Sequence, residues 1–316
     1  MKRTHKPPPE EIIRVGDQFY VLAASSRADD RTRVLKSGDT FGLFDRQGDI
    51  QPVGLGEQGL YHEGTRFLSR MELLLSGVRP LLLTSGVDEE NLVLSVHLTN
   101  PDLSDENGVV TPRGSVHLFR SRTLLDSTLY ERLVVHNFSS QPFGLRLALH
   151  FDSDFADMFE VRGVQRDRRG RRLEPKLDRG KTILSYDGLD DVRRRITIAS
   201  RPQPTHLASD HFEFESSIAP RDQLEIEIEI TCASGDETSP TSIEFAGAYQ
   251  QAQERSEQLR TSECEVYTSN EHFNDWLSRS RADLRMMMTQ TAQGPYPQAG
   301  IPWFCTPFGR DGIITA

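Results

Sequence analysis

Leu224-Glu225-Ile226-Glu227-Ile228-Glu229-Ile230-Thr231 is the stretch whose reading decides the fold. Leu224, Ile226, Ile228 and Ile230 share one side of a two-residue period, and Glu225, Glu227 and Glu229 share the other. That is a strand with one dry face and one charged, solvated face. Working outward, Phe143, Leu145, Leu147, Leu149 and Phe151 alternate in the same way, as do Leu92, Leu94, Val96 and Leu98 ahead of an Asn100-Pro101 turn signal. Arg132 to Phe138, then Ser139 to Pro142, then the strand from Phe143 read as a hairpin. Phe19–Ala24, Phe41–Phe44, Phe67–Leu75, Thr182–Tyr186, Arg195–Ala199 and Phe212–Ser216 are further strand candidates. Many short strands with turn residues between them and no interleaved helices predict a mainly β chain, a large antiparallel sandwich over residues 10–245. Leu145, Leu147, Leu149, Ile226 and Ile228 belong to its inner faces.

The character changes near Phe245. Residues 246–262 are rich in helix formers and lack proline, and their polarity suits a linking helix, so 246–268 reads as a linker. A second helix follows, with Ser269 or Asn270 as its cap and Phe273, Trp276, Leu277, Leu284 and Met288 near i, i+3, i+4 spacing. Gly294 to Pro302 reads as an irregular loop, and Asp311 to Ala316 as the first turn of another helix. Such an apolar turn calls for a partner, so a further C-terminal part is expected.

Composition excludes several classes. The 316 residues carry a net charge of −10, unfavourable for general nucleic-acid binding. No run approaches the ~20 apolar residues of a membrane span. Met1 to Pro9 is basic but has no apolar segment behind it, so it does not read as a secretory signal. Cys232, Cys264 and Cys305 are odd in number and widely spaced, which argues against a disulfide framework or a CxxC zinc site. A reduced cytoplasmic protein is expected, in which Asn137-Phe138-Ser139 is a chance glycosylation sequon.

Four motifs carry possible chemistry. Gly54 to Gly59 matches G-x-G-x-x-G, but Pro52 precedes it and no acid stands about 20 residues on, so it reads as a glycine loop and no cofactor is expected. Residues 162–181 hold nine Arg or Lys against three acids, without the interleaved aromatics of a stacking platform; they read as a long exposed loop. Asp152, Asp154, Asp157 and Glu160 lack the glycine and distal glutamate of a calcium loop and read as turn residues, with no metal ligand assigned. Trp303, Phe304 and Phe308 surround Arg310-Asp311. Aromatic faces stack on sugar C–H surfaces and charged groups take paired hydrogen bonds from vicinal hydroxyls. The same pair also suits a helix N-terminus, where Asp311 meets the positive dipole end. On the residues alone the two readings stand level.

Phe308-Gly309-Arg310-Asp311-Gly312-Ile313-Ile314-Thr315, preceded by Ala299 to Phe304, resembles the entry to the (α/α)₆ barrel of bacterial and archaeal glycogen-debranching proteins of the amylo-α-1,6-glucosidase type. Gly59-Leu60-Tyr61-His62-Glu63-Gly64-Thr65-Arg66-Phe67-Leu68-Ser69, Asp154 to Gly163 and Tyr186 to Arg195 are similar to motifs of that family's N-terminal sandwich. Gly64 departs from the pattern, standing where many relatives carry an acid. The resemblance implies a sandwich followed by a helical barrel that begins, truncated, over 269–316. It implies a parent glycoside hydrolase acting on α-glucans, inactive as the present chain. Carried over, Arg310 and Asp311 hold the substrate glucose, with Trp303, Phe304 and Phe308 beside them. Glycoside hydrolysis needs two carboxyl groups; the family's pair comes from later barrel helices, so no catalytic residue is assigned. The partners expected are an α-glucan or oligosaccharide and the barrel region, with neither nucleic acid nor membrane. A stand-alone carbohydrate-binding or interaction sandwich, and an α-glucosidase or trehalase-like hydrolase of the same architecture, are the alternatives.

Overall fold

The computed structural model describes residues 12–15, 18–21, 32–51, 56–105, 108–237, 241–261, 263–291 and 293–315. Strands β1 (Ile12–Val15) and β2 (Gln18–Val21) pair with each other, so the Phe19–Ala24 expectation is met as far as Val21 and otherwise lies outside the described residues. Strands β3 (Arg33–Ser37), β4 (Thr40–Phe44), β5 (Gly59–His62) and β6 (Thr65–Leu68) form an antiparallel meander. A second sheet holds, in spatial order, β19 (His206–Leu207), β20 (His211–Ile218), β14 (Phe143–Asp152) and β7 (Arg70–Leu75). The expected Phe67–Leu75 strand is therefore two, divided at Ser69, whose N–H turns to the Asp152 carbonyl at 2.9 Å.

The large sheet has nine strands. Its order is β15 (Arg171–Arg172), β17 (Lys181–Asp187), β18 (Arg193–Arg201), β21 (Gln223–Ser234), β13 (Thr128–Asn137), β12 (Val116–Leu125), β9 (Val93–Thr99) and β8 (Leu81–Val87), with β16 (Lys176–Asp178) also beside β17. A short β10 (Leu103–Asp105) and β11 (Gly108–Thr111) pair separately. All named pairings are antiparallel. One continuous apolar core joins the large sheet to both four-stranded sheets, and Leu145, Leu147, Leu149, Ile226 and Ile228 are all buried in it. The architecture is the antiparallel sandwich that alternation predicts.

The glutamate face of β21 is not simply solvated. Glu225 pairs with Arg132 at 2.7 Å on the surface, but Glu227 accepts the Phe245 N–H at 3.1 Å and Glu229 accepts the Ser242 hydroxyl. These bonds start α2 (Phe245–Arg260), which lies on this outer face through Phe245, Ala248 and Ala252, against Leu125 and Tyr130. Two alanines a turn apart let a mostly polar helix approach the sheet closely.

The expected hairpin after Arg132 is also corrected. β13 pairs with β12 and β21, whereas β14 pairs with β20 and β7, so Ser139 to Pro142 carries the chain from one layer to the other. Asn137 fixes the crossing. It is fully buried, its amide donates to the carbonyls of Gln141 (2.8 Å), Ile218 (3.1 Å) and Ala219 (3.2 Å), and its oxygen accepts from Ser139. An amide so occupied is not a glycan acceptor in the folded protein.

The core row of β12 reads Leu118, Arg120, Arg122, Leu124, and opposite Arg122 on β13 stands Glu131. Both arginines and the glutamate are 1% exposed. Glu131 accepts from Arg120 Nε at 2.6 Å and from Arg122 Nη2 at 2.8 Å. Arg120 also donates to Asp49 (2.7 Å) and the Gln47 carbonyl (2.9 Å), and Arg122 to the Gly48 carbonyl. Arg79 then bridges Asp49 (2.7 Å) and Asp45 (2.8 Å). Gly48 has φ +78°, and an added Cβ would come within 3.3 Å of Val96, so this turn accepts glycine alone without strain. Burial by itself would raise the Glu131 carboxyl; the attraction and hydrogen bonds of two guanidiniums outweigh it and hold the group below its ordinary value.

Glu131→Gln leaves two buried guanidiniums facing a neutral amide, and a broken buried pair costs about 3–5 kcal/mol. Urea unfolding at neutral pH is expected to show a loss of that size, and a loss under about 1 kcal/mol would contradict it. Because the folded pKa is lowered, the wild-type contribution is complete above the unfolded carboxylate value of ~4.3 and is lost as pH falls through the folded value. The variant should therefore show a shallower acid dependence of stability.

Candidate functional site

The four segments that sequence singles out meet at one corner. Arg66 clamps Asp154 with two parallel bonds (3.1 and 2.5 Å), and its N–H donates to the Ala156 carbonyl at 2.8 Å. Phe155 stacks on Tyr186 at 5.4 Å and meets Phe67 edge-on at 5.6 Å. Hydrogen bonds from Arg194 hold the Asp190 carboxyl down to about 2. The acidic cluster is thus structural. Asp157 caps the short α1 (Met158–Val161), accepting from Phe159 and Glu160 N–H, while the Glu160 carboxylate accepts the Asp157 N–H, a reciprocal capping box.

Part of the basic segment is tied down by ion pairs. Arg166 meets Asp157 at 2.6 Å, Arg169 meets Glu160 at 2.9 Å and Arg172 meets Asp152 at 2.7 Å. Residues 171–172 and 176–178 are edge strands, a correction to the loop reading. Gly59 opens strand β5 rather than a helix, against dinucleotide binding, while Gly54 lies outside the described residues.

The C-terminal part is built on this corner. Asn270, not Ser269, caps α3 (Glu271–Met287), accepting the Phe273 N–H at 3.1 Å. The expected loop at 294–302 is instead strand β23 (Gly294–Gly300), between β22 (Met288–Thr291) and β24 (Phe304–Pro307). Pro295 and Pro297 are two apart, so their missing N–H groups fall on one side of the strand, and Tyr296 and Gln298 keep theirs on the other. Met288 belongs to β22 and not to the helix. Lys36 donates to Thr289 at 2.8 Å and Gln298 to Asp39 at 3.2 Å, tying the small sheet to the β3–β4 hairpin. Burial pushes the Cys305 thiol up to about 12, so it stays the S–H that donates to Gln298 Oε1 at 2.6 Å.

These anchors present the predicted residues. Trp303 is half-buried, Phe304 and Phe308 are exposed and meet edge-on at 5.8 Å, and α4 (Gly309–Thr315) begins immediately after. Arg310 is 85% exposed at its side chain, with Nε 4.0 Å from Asp311 Oδ2. The guanidinium of Arg162, just past α1, lies 5.6 Å over both the Trp303 and the Phe304 rings. Sequence places Arg162 in the basic segment; no spacing rule links it to rings more than a hundred positions away. The arrangement is a solvent-facing aromatic shelf with a guanidinium above it and an Arg–Asp pair at its end. It can stack on and hydrogen-bond a polyhydroxyl ligand.

α3 shows a contrast between its faces. Arg285 reaches Glu90 (2.5 Å) and Glu263 (2.9 Å), and Asn91 donates to Asp283 at 2.8 Å, so polar ties hold it to the sandwich. Phe273, Trp276 and Leu284 are exposed, Trp276 at 63%.

With the geometry in place, the comparisons assign the family. Residues 35–229, more than half of the chain, match the family model described as the N-terminal domain of (some) glycogen debranching enzymes, and the chain belongs to that family. A comparison with curated proteins gives no match. Among solved structures, a protein described as a kojibiose phosphorylase from the human microbiome is similar at 10% identity and TM-score 0.42, over 81% of this chain and 36% of that one. A galactose mutarotase-like protein from Clostridium acetobutylicum gives 10% identity and TM-score 0.35, over 63% and 94% of the two chains. The heparan sulfate lyase HepC from Pedobacter heparinus gives 11% and 0.31, over 63% and 31%. The chain thus spans about a third of the length of the first and third of these proteins.

Gly312 tests how tightly the shelf is built. A Cβ there would lie 2.0 Å from the Tyr296 hydroxyl and 2.4 Å from its Cζ, so the ring or the helix must move. Gly312→Ala is expected to leave the urea midpoint of the sandwich unchanged while speeding tryptic cleavage at Arg310 several-fold. Unchanged cleavage would show that α4 is not seated on Tyr296.

Proposed function

We propose that this chain is the N-terminal region of a glycogen-debranching-type glycoside hydrolase acting on α-glucans in the cytoplasm. Its part is to present a sugar-holding shelf to a helical catalytic region. The family match over residues 35–229 carries the reading. Trp303, Phe304 and Phe308 stack on the glucose ring, Asp311 accepts from two of its hydroxyls and Arg310 donates to another. The catalytic acid and its partner carboxylate come from barrel helices that cover the exposed Phe273, Trp276 and Leu284. Burying such a face is the ordinary use of an apolar helix stripe. Residues 10–245 are the sandwich, 246–268 the linker and 269–316 the entry to the barrel. The cytoplasmic reading draws on three free cysteines, Cys232, Cys264 and Cys305. No described helix is long and apolar enough to cross a membrane.

In the full-length parent, Asp311→Asn and Arg310→Ala are each expected to lower kcat/KM on α-glucans roughly 10–150-fold. That is the equivalent of one charged hydrogen bond of about 1.5–3 kcal/mol. Both variants should melt with the wild type. If Asp311 serves only the α4 dipole, worth ~0.3–1 kcal/mol, the melting point falls and kcat/KM stays, which would remove the sugar-holding role.

A further inference from the structure

His62 ends strand β5 with its side chain enclosed; the residue is 7% exposed. Its Nδ1 is 2.8 Å from Thr40 Oγ1, and its ring packs edge-on against Phe67 at 5.7 Å. Nε2 is buried and makes no hydrogen bond to any described residue. A buried polar atom without a partner needs a physical explanation, an ion among them. Two carboxylates face this nitrogen. Glu63 comes from the β5–β6 turn, and Glu237 from the turn that follows β21, with an Oε2 3.6 Å from Nε2. The three ligand atoms all lie within 4.8 Å of one another.

We propose that His62, Glu63 and Glu237 form a divalent-metal site of the zinc class. In the tautomer that donates Nδ1–H to Thr40 the lone pair sits on Nε2, the form in which a metal-ligating histidine is held by its other nitrogen. A lone pair aimed at two carboxylates is repulsive unless a cation lies between them. A proton on Nε2 would draw Glu237 to the 2.7–2.9 Å of a charge-assisted bond. Two ligand atoms each ~2.0–2.2 Å from one ion at a tetrahedral angle stand about 3.4 Å apart, close to the observed 3.6 Å. The donor set selects the metal. Calcium and magnesium take oxygen ligands, whereas imidazole with carboxylates suits zinc and its neighbours. Both glutamates are exposed, which leaves positions on the ion open to water.

Glu237 is pre-placed for this role. Its Oε2 accepts the Ser234 N–H at 2.7 Å, and Arg195 donates to its carbonyl at 3.2 Å. Arg194 is the competing cation whose field reaches Glu63. A bound ion would clip the β5–β6 turn of the meander to the end of the large sheet's central strand.

The test uses the whole chain after chelator treatment, with zinc added in competition with a chromophoric indicator. One equivalent is expected to bind at micromolar concentration and to raise the melting temperature, with no such rise from calcium or magnesium. Glu63→Gln and Glu237→Gln should each weaken zinc binding at least tenfold while their metal-free melting temperatures match the wild type, because both side chains lie on the surface. If the wild type takes up less than one equivalent, or no more zinc than a variant carrying both Glu63→Gln and Glu237→Gln, the proposal is overturned; in the latter case the ion sits elsewhere, as at the His97–His117 pair (3.1 Å).

Discussion

Two guanidiniums, Arg120 and Arg122, stand in the apolar row of β12 between Leu118 and Leu124, with the Glu131 carboxylate opposite them on β13, and all three have almost no exposure. Much of the rest is arranged around that constraint. Charges cannot remain in such a place unless each is paired and hydrogen-bonded. Arg120, Arg122 and Glu131 meet the condition only because the 45–49 turn brings Asp49 and the carbonyls of Gln47 and Gly48 into the sandwich. Arg79 closes the set from a fourth segment. Three cations face three anions, so the cluster is balanced. Replacing buried ion pairs by apolar residues of equal volume is often neutral or stabilising; what these charges supply is position, since a register slip on β12 or β13 would strand them.

The consequences run outward from that turn. The 45–49 turn follows β4, and β4 with β3 forms the hairpin on which the small C-terminal sheet is tied by Lys36 and Asp39. The same meander presents Thr65 and Arg66, against which the Asp154 to Arg162 segment folds and caps its own helix. Arg162 is thereby placed over Trp303 and Phe304. The aromatic shelf is therefore a product of two anchored segments meeting, not of the local sequence around residue 303.

This explains which features sequence made legible. Alternation at Leu145 to Leu149 and at Ile226 to Ile230 reports burial directly, because side chains on a strand have only two sides. Turn residues at Ser139 to Pro142 report that the chain reverses but not which layer it returns to, and that needed the occupied neighbours of β13. Asp157 and Glu160 read from sequence as turn residues, whereas they cap α1 reciprocally, because a capping box needs the helix that follows to be recognised. Arg120 and Arg122 break the apolar row, and a rule that sends charge outward has no way to place them. Trp303, Phe304, Phe308, Arg310 and Asp311 are neighbours in the sequence, but the placement of Arg162 over Trp303 and Phe304 depends on contacts distant in sequence, as does the meeting of His62 with Glu237.

The chain has only two tryptophans, one on the shelf and one on the exposed face of α3. Their indole N–H signals in a nitrogen–proton correlation spectrum, assigned with Trp276→Phe, therefore report the two surfaces separately. Titration with a linear maltooligosaccharide to about 10 mM should move the Trp303 signal with a saturable curve and leave Trp276 in place. A Trp303 signal that stays fixed, or movement confined to Trp276, would contradict the sugar-holding role proposed for the shelf.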